Sequence, residues 1–258
     1  MRPHGGAPQS SDRCPLDSCD GSGWIDDEEA GGVHACACRS QLIAGRRARS
    51  LSAVIPRRYR GVSFDRPPVT EMPAPQVDKV RRYVRRLDEH LREGRGLWFF
   101  GSVGTGKTTL AMLVSREALD RSHTVAIYSL PRLLAEIRST FDDDTPGAYT
   151  DFLARLAQVD LLHIDDLGAE KTSPWVLEQL YSIVNDRYEA ERAIVITTNL
   201  DREQLAEQIG ERTVSRLEEM CEVCPLFGPD HRRYEAVDQR LDAASGAAEA
   251  AATDLRLA

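Results

Sequence analysis

Three groups of residues in this sequence have the types and spacing to do chemistry. The first is Gly101-Ser102-Val103-Gly104-Thr105-Gly106-Lys107-Thr108, which fits G-x-x-x-x-G-K-[ST] at every fixed position. Glycines let a backbone fold around an anion so that its N–H groups point inward. An apolar strand precedes this loop, and an amphipathic helix starting at Gly106–Thr109 adds the partial positive charge of its N-terminus. Such a loop cradles a nucleotide polyphosphate from Gly101 through Thr109. Lys107 is expected to reach the β- and γ-phosphates and Thr108 to hold Mg²⁺.

The second group is acidic. Four mostly apolar residues, Leu161-Leu-His-Ile164, precede Asp165-Asp166 and place them at the carboxyl end of a buried strand, where ligands bind in parallel sheets. Asp165 is expected to hold the Mg²⁺ hydration shell and Asp166 to orient the attacking water. Two further segments separate this pattern from a small-molecule kinase. Ala193-Ile-Val-Ile-Thr-Thr-Asn199 could end beside the γ-phosphate at Asn199, although an isolated Asn there also suits a turn or helix cap. Gly210-Glu-Arg212-Thr-Val-Ser-Arg216 sets two arginines on one helix face, fit either for a neighbouring subunit's nucleotide or for solvent.

The third group is Cys14-x4-Cys19 with Cys36-x-Cys38. Four thiolates can enclose Zn²⁺ tetrahedrally, and His34 could replace one of them. A segment this short has little core of its own, so metal would stabilise it directly. Cys221-x2-Cys224 has knuckle spacing but no second pair nearby, and both read as small buried side chains.

These groups need elements to hold them. Val77, Val80, Val84, Leu87 and Leu91 share one helical face, and Gly94 ends that helix. Beyond it, strands at Leu97–Phe100, Thr124–Tyr128, Val159–Ile164 and Ala193–Thr197 alternate with helices through about Arg121, at Leu130–Phe141 and at Pro174–Glu189. That alternation predicts an α/β fold, a parallel sheet with helices on both faces.

The chain has 258 residues, 41% of them hydrophobic, with a formal net charge of −8. The charge is unevenly spread: Met1–Cys38 is acidic, whereas Arg39–Arg60 holds seven arginines and no acid. That block is either a solvated linker helix or a contact for nucleic-acid phosphates. Neither a secretory apolar run near Met1 nor about 18 consecutive apolar residues occurs anywhere, so no membrane span and a cytoplasmic location are expected. Without an export signal, the cysteines read as thiols or metal ligands.

The order of these motifs resembles the AAA+ ATPases of the bacterial replicative helicase-loader group (DnaC/DnaI type), which share their ATPase core with IstB transposase helpers. The resemblance is carried by Pro56-Arg-Arg-Tyr-Arg60, Gly96-Leu-Trp-Phe-Phe-Gly101, Asp160 through Gly168, Thr197-Thr-Asn199-Leu and Glu211-Arg-Thr-Val-Ser-Arg-Leu-Glu-Glu-Met220. It implies a P-loop sheet and an ATPase with Asn199 as sensor of the γ-phosphate. Arg216 is then the arginine finger for an adjacent protomer and Arg232 a second sensor. Asp166 stands where most AAA+ proteins carry Glu, one methylene longer, which implies slow hydrolysis. The resemblance places a helix that contacts single-stranded DNA within residues 141–157. Asp142-Asp-Asp144 makes that segment acidic, so Arg132 and Arg138 on the preceding helix are the better phosphate candidates.

The expected organisation is a disordered 1–13, a zinc-binding module at 14–40, a basic and Pro-rich linker at 41–75, an AAA+ domain at 76–235 and a frayed or disordered tail at 236–258. The implied function is loading of the replicative helicase onto single-stranded DNA, with ATP hydrolysed between self-associated protomers. The alternatives are a transposase helper acting on target DNA and a nucleotide-gated interaction protein with negligible turnover.

Overall fold

A computed structural model describes residues 14, 16–20, 22–27, 32–39, 51, 53–141, 145–168, 173–228 and 230. Residues 1–13, Asp142–Asp144, Arg232 and the tail at 236–258, like most of the arginine-rich block, lie outside the described residues.

Two short strands, β1 (Trp24–Asp27) and β2 (Gly32–Ala35), pair antiparallel in the N-terminal segment. The main body starts with α1 (Ala74–Arg85), α2 (Leu87–Arg92) and β3 (Gly96–Phe100). It continues with α3 (Lys107–Asp120), β4 (Val125–Ser129), α4 (Leu130–Ser139), α5 (Ala148–Gln158) and β5 (Leu161–Asp165). The remaining elements are α6 (Pro174–Glu189), β6 (Ala193–Thr198), α7 (Arg202–Ile209), α8 (Glu211–Met220) and β7 (Cys221–Pro225). The five strands β3–β7 form one sheet in the order β4-β5-β6-β3-β7, every neighbouring pair parallel.

Both faces of the sheet are covered, which is why its strands are apolar throughout. Leu97, Phe99, Val125, Ile127, Leu161, Ala193 and Val195 pack with α1, α2 and α3. Their strand neighbours Trp98, Ala126, Tyr128, Leu162, Ile164, Ile194 and Ile196 pack with α4, α5, α6 and α8. Side chains alternate between faces along a strand, so the register decides which carboxyl-end residues meet α3. His163, Asp165 and Thr197 share the α3 face, and the buried Ser115 of α3 bonds His163 Nδ1 at 2.9 Å. Cys221 and Cys224 are buried in β7, Cys221 against the Ile194 carbonyl, as their reading from the sequence expects.

Two expectations are corrected. The single helix from Val77 to Leu91 is two, because the backbone leaves helical geometry at Arg86 (φ −108°, ψ 25°). The bend stacks His90 on Tyr83 with ring centroids 4.4 Å apart, and Tyr83 Oη donates to the Arg95 carbonyl at 2.6 Å. The Pro-rich stretch before residue 76 is, from Ile55 onward, part of the body and not a free linker. Ile55, Tyr59, Val62, Val69 and Met72 are buried in the α3-side core. Arg116 of α3 donates to the Val62 carbonyl and fastens the segment to that helix.

Candidate functional site

The phosphate loop runs between β3 and α3, as its flanking residues require. Two of its glycines are demanded by geometry. Gly101 has φ +134°, and a Cβ there would lie 2.0 Å from the Leu226 carbonyl oxygen. Gly106 has φ +93°, and a Cβ there would meet the Met72 side chain at 2.2 Å. At Gly101 the backbone leaves no room for a Cβ, and at Gly106, where the Met72 methyl could move aside, the positive φ itself strains any L-residue. Lys107 opens α3 with its ammonium turned back into the loop, donating to the carbonyls of Gly101 at 2.9 Å and Ser102 at 2.6 Å. Thr105 Oγ1 donates to the Ser102 carbonyl at 2.9 Å and closes the turn.

Beside the loop lies a cleft of about 400 Å³. It brings together Gly104, Gly106, Lys107, Thr108, Thr109, Asp166 and Asn199, from three separate parts of the chain. Arg58, Tyr59, Val62, Pro68 and Met72 form its opposite wall. Sequence reasoning did not assign these five to the site. The available signal was Pro56-Arg-Arg-Tyr-Arg60, five residues whose type says nothing about where they fold back.

Asp165 ends β5, and Asp166 follows in the left-handed region at φ +58°. Aspartate tolerates that conformation better than most residues, and here it turns the chain at the carboxyl end of β5. Asp165 Oδ1 accepts from Thr197 Oγ1 at 2.7 Å. Two residues back, His163 is fully buried, and loss of hydration pushes its imidazole down to about 4, so it is neutral at ordinary pH. The groups lining the cleft suit a nucleotide with a hard cation: the Lys107 ammonium, the Thr108 hydroxyl and the Asp166 carboxylate.

Arg216 does not face this cleft. It sits on α8 with its guanidinium over Tyr181 (4.9 Å) and Tyr188 (5.6 Å) of α6, half-buried. Among the described residues it forms no ion pair, whereas Arg202 nearby pairs with Glu211 and Glu218. Arg138 stacks on Trp175 at 4.8 Å and remains exposed, and Arg132 pairs with Glu136 at 3.5 Å.

The cysteines converge. Their four sulfurs lie within 4.8 Å of one another, with Cys14–Cys36 at 3.8 Å and Cys19–Cys38 at 3.6 Å, and none of the four is in a disulfide. Tetrahedral Zn–S bonds of about 2.3 Å place sulfurs about 3.8 Å apart. The cluster is therefore compatible with zinc in both donor type and spacing. His34 is exposed on β2, and the four thiols form the set without it. The Cys36 N–H donates to the Gly23 carbonyl at 2.9 Å, and Arg39 covers Trp24 at 3.6 Å, so the hairpin braces both cysteine pairs.

The sheet order, the loop and the acidic strand define a P-loop ATP-binding fold of the AAA+ class. The chain belongs to the IstB-like ATP-binding protein family, which matches residues 76–234. It is 29% identical over 141 residues to the replicative helicase loader DnaC of Escherichia coli K12, covering 55% of this chain and 56% of that protein. With DnaC of Buchnera aphidicola (subsp. Acyrthosiphon pisum) the identity is 26% over 160 residues, or 62% and 64% of the two chains. The chain thus spans little more than half the length of these relatives. A crystal structure of the DnaC helicase loader superposes with a TM-score of 0.58 at 27% identity, covering 66% of this chain and 99% of that one. The replication initiator DnaA bound to AMPPCP and single-stranded DNA shares the fold, with a TM-score of 0.53 at 22% identity over 67% and 51% of the chains. Among the described residues no helix is long and apolar enough to cross a membrane.

Proposed function

We propose that this protein is an ATP-dependent loader of the replicative helicase onto single-stranded DNA. The observation that carries the reading is the pairing of two parts: a four-thiol cluster with zinc spacing, and a nucleotide cleft in a core similar to DnaC. In this reading the loop N–H groups from Gly101 to Thr109 and the Lys107 ammonium bind the β- and γ-phosphates, and Thr108 and Asp165 hold Mg²⁺. The cation neutralises charge on the phosphates when bound. Asp166 orients the attacking water and Asn199 senses the γ-phosphate. Arg216, turned away from its own cleft and lacking a carboxylate partner among the described residues, serves the site of an adjacent protomer. Such a finger is worth about 10³–10⁵ in turnover in related enzymes. The short reach of Asp166 makes the hydrolysis slow and dependent on partners.

The zinc module, with Leu16, Trp24 and Val33 exposed, is the part that grips the helicase. Arg138, stacked but unpaired with any acid among the described residues, is the candidate for DNA phosphates. The test is co-elution with the host replicative helicase, with and without ATP, on a zinc-quantified sample. A stable complex carrying about one Zn²⁺ per chain is expected. No complex from zinc-loaded protein would overturn the loader reading in favour of a transposase helper or a nucleotide-gated interaction protein.

A further inference from the structure

We propose that Thr197 is a positioning residue for the metal edge of the nucleotide site: its hydroxyl orients the Asp165 carboxylate while it anchors the backbone of Asp166. The inference rests on the reading of Asp165 as a Mg²⁺ ligand.

Thr197 lies in β6, fully buried, on the sheet face it shares with Asp165. Its Oγ1 is 2.7 Å from Asp165 Oδ1 and 2.9 Å from the Asp166 backbone nitrogen. A hydroxyl has one proton, and a backbone N–H can only donate. The directions are therefore settled: Asp166 N–H donates to Oγ1, and Oγ1 donates its proton to Asp165. The next residue is caught as well, because the Leu167 N–H donates to the Thr197 carbonyl at 2.8 Å. One residue of β6 thus grips three successive residues of the acidic turn, which includes the left-handed Asp166.

Shape alone does not call for threonine here. Its strand neighbours Val195 and Ile196 are apolar and equally buried, and valine would fill the same space. A buried hydroxyl is costly unless its hydrogen bonds are made, and both bonds made by this one go to the acidic pair. With Oδ1 engaged, the acceptor capacity of Asp165 is concentrated on Oδ2. A cation then meets a carboxylate already set in one rotamer, and Asp166 leaves the strand at a defined angle. Hydrogen-bonding partners of metal-ligating carboxylates act in this way.

The test compares Thr197→Val, which keeps the shape and removes the hydroxyl, with Thr197→Ser, which keeps the hydroxyl. Asp165→Asn is the reference. The full chain is titrated with Mn²⁺ in the presence of ATP, free Mn²⁺ being read by electron paramagnetic resonance, and the Mg²⁺ dependence of turnover is followed in parallel. Thr197→Val should weaken Mn²⁺ binding by about 10–100-fold, leave metal-free ATP binding unchanged and lower the melting temperature only modestly, because the Asp166 N–H loses its acceptor. Thr197→Ser should stay near wild type. If Thr197→Val binds Mn²⁺ normally while Asp165→Asn does not, Thr197 merely fills the strand and the proposal falls. Serine losing as much as valine overturns it too, by pointing to the methyl group. If even Asp165→Asn binds normally, the failure lies in the metal reading of Asp165. Should the valine variant not fold, Thr197→Ala against Thr197→Ser gives the same comparison.

Discussion

At the amino ends of β5 and β6 the Arg187 guanidinium donates to the carbonyls of Leu156 (2.6 Å), Val159 (3.0 Å), Asp160 (3.4 Å) and Ala193 (2.6 Å). At the carboxyl ends of the same strands, the Thr108 hydroxyl and the Asn199 amide make no hydrogen bond among the described residues, yet both border the cleft. Apart from Arg187 Nε, buried without a partner among the described residues, the polar groups of the first region are satisfied by one another. Asp160 accepts from the Thr124 N–H (2.9 Å), the Thr124 hydroxyl (2.8 Å) and Arg192 (3.0 Å), and His123 bridges towards Asp88 at 2.7 Å. A region closed in this way can store stability but has little capacity left for a ligand. The second region keeps donors and acceptors for one, and its fold depends on strands secured from the far end.

The contrast is sharpest at Arg187. Replacing it with alanine leaves buried carbonyls without their donor, and should cost about 3–5 kcal/mol in urea unfolding. Nucleotide affinity of the folded fraction should not change. An unfolding midpoint near wild type would mean that the clamp carries no stability. Lys107→Ala is the mirror case. Losing a desolvated charge partner of the phosphates should weaken ATP binding by about 2–5 kcal/mol, measured by titration calorimetry. The urea midpoint should fall less than in Arg187→Ala, since only the Gly101 and Ser102 carbonyls lose a donor. If Lys107→Ala lowers the midpoint as far as Arg187→Ala does, the two ends are not separable.

A smaller effect is expected at Asp160. Burial alone would raise its carboxyl, but the bonds from His123 and Thr124 and the charge of Arg192 outweigh it and hold it at about 2. Its folded value is depressed, so its stabilisation is complete above the unfolded carboxylate value of about 3.9. It is lost as pH falls towards 2. Asp160→Asn should remove about 2 kcal/mol at neutral pH, and the gap between wild type and variant should close between about pH 4 and pH 2.

The smallest effect is that of His123, raised by the Asp160 and Asp88 carboxylates against the cost of burial. Its stabilisation is complete below about pH 6.5 and is lost as pH rises through the higher folded value. Wild type should therefore lose stability as pH rises above about 6.5, and His123→Gln should flatten that slope. A slope unchanged in the variant would remove His123 from the network.

The two regions also differ in how far they can be read without coordinates. Gly101–Thr108, Asp165 and Asp166 carry their chemistry in residue type and local spacing. The turn, the helix start and the strand end that they need are all built from neighbours in the chain. The cysteine quartet is legible for the same reason, since metal geometry constrains spacing. Arg187, within Asn185-Asp-Arg187-Tyr188, reads as an ordinary charged residue near a helix end, and nothing local announces four carbonyls around it. Thr197 reads as one threonine of an apolar strand, although parity along β5 and β6 already sets it on the same face as Asp165.

The amino-acid sequence by itself determined the alternation of strands and helices, the phosphate loop, the acidic strand end and the clustering potential of the cysteines, because these follow from contacts between near neighbours and from backbone preference. Tertiary structure alone decided the strand order β4-β5-β6-β3-β7 and the folding back of Arg58–Met72 to wall the cleft. It also decided the packing of Arg216 against two tyrosines and the grip of Thr197 on the acidic turn. Each of these joins segments far apart in the chain, and their pairing depends on which apolar faces bury each other across the whole core.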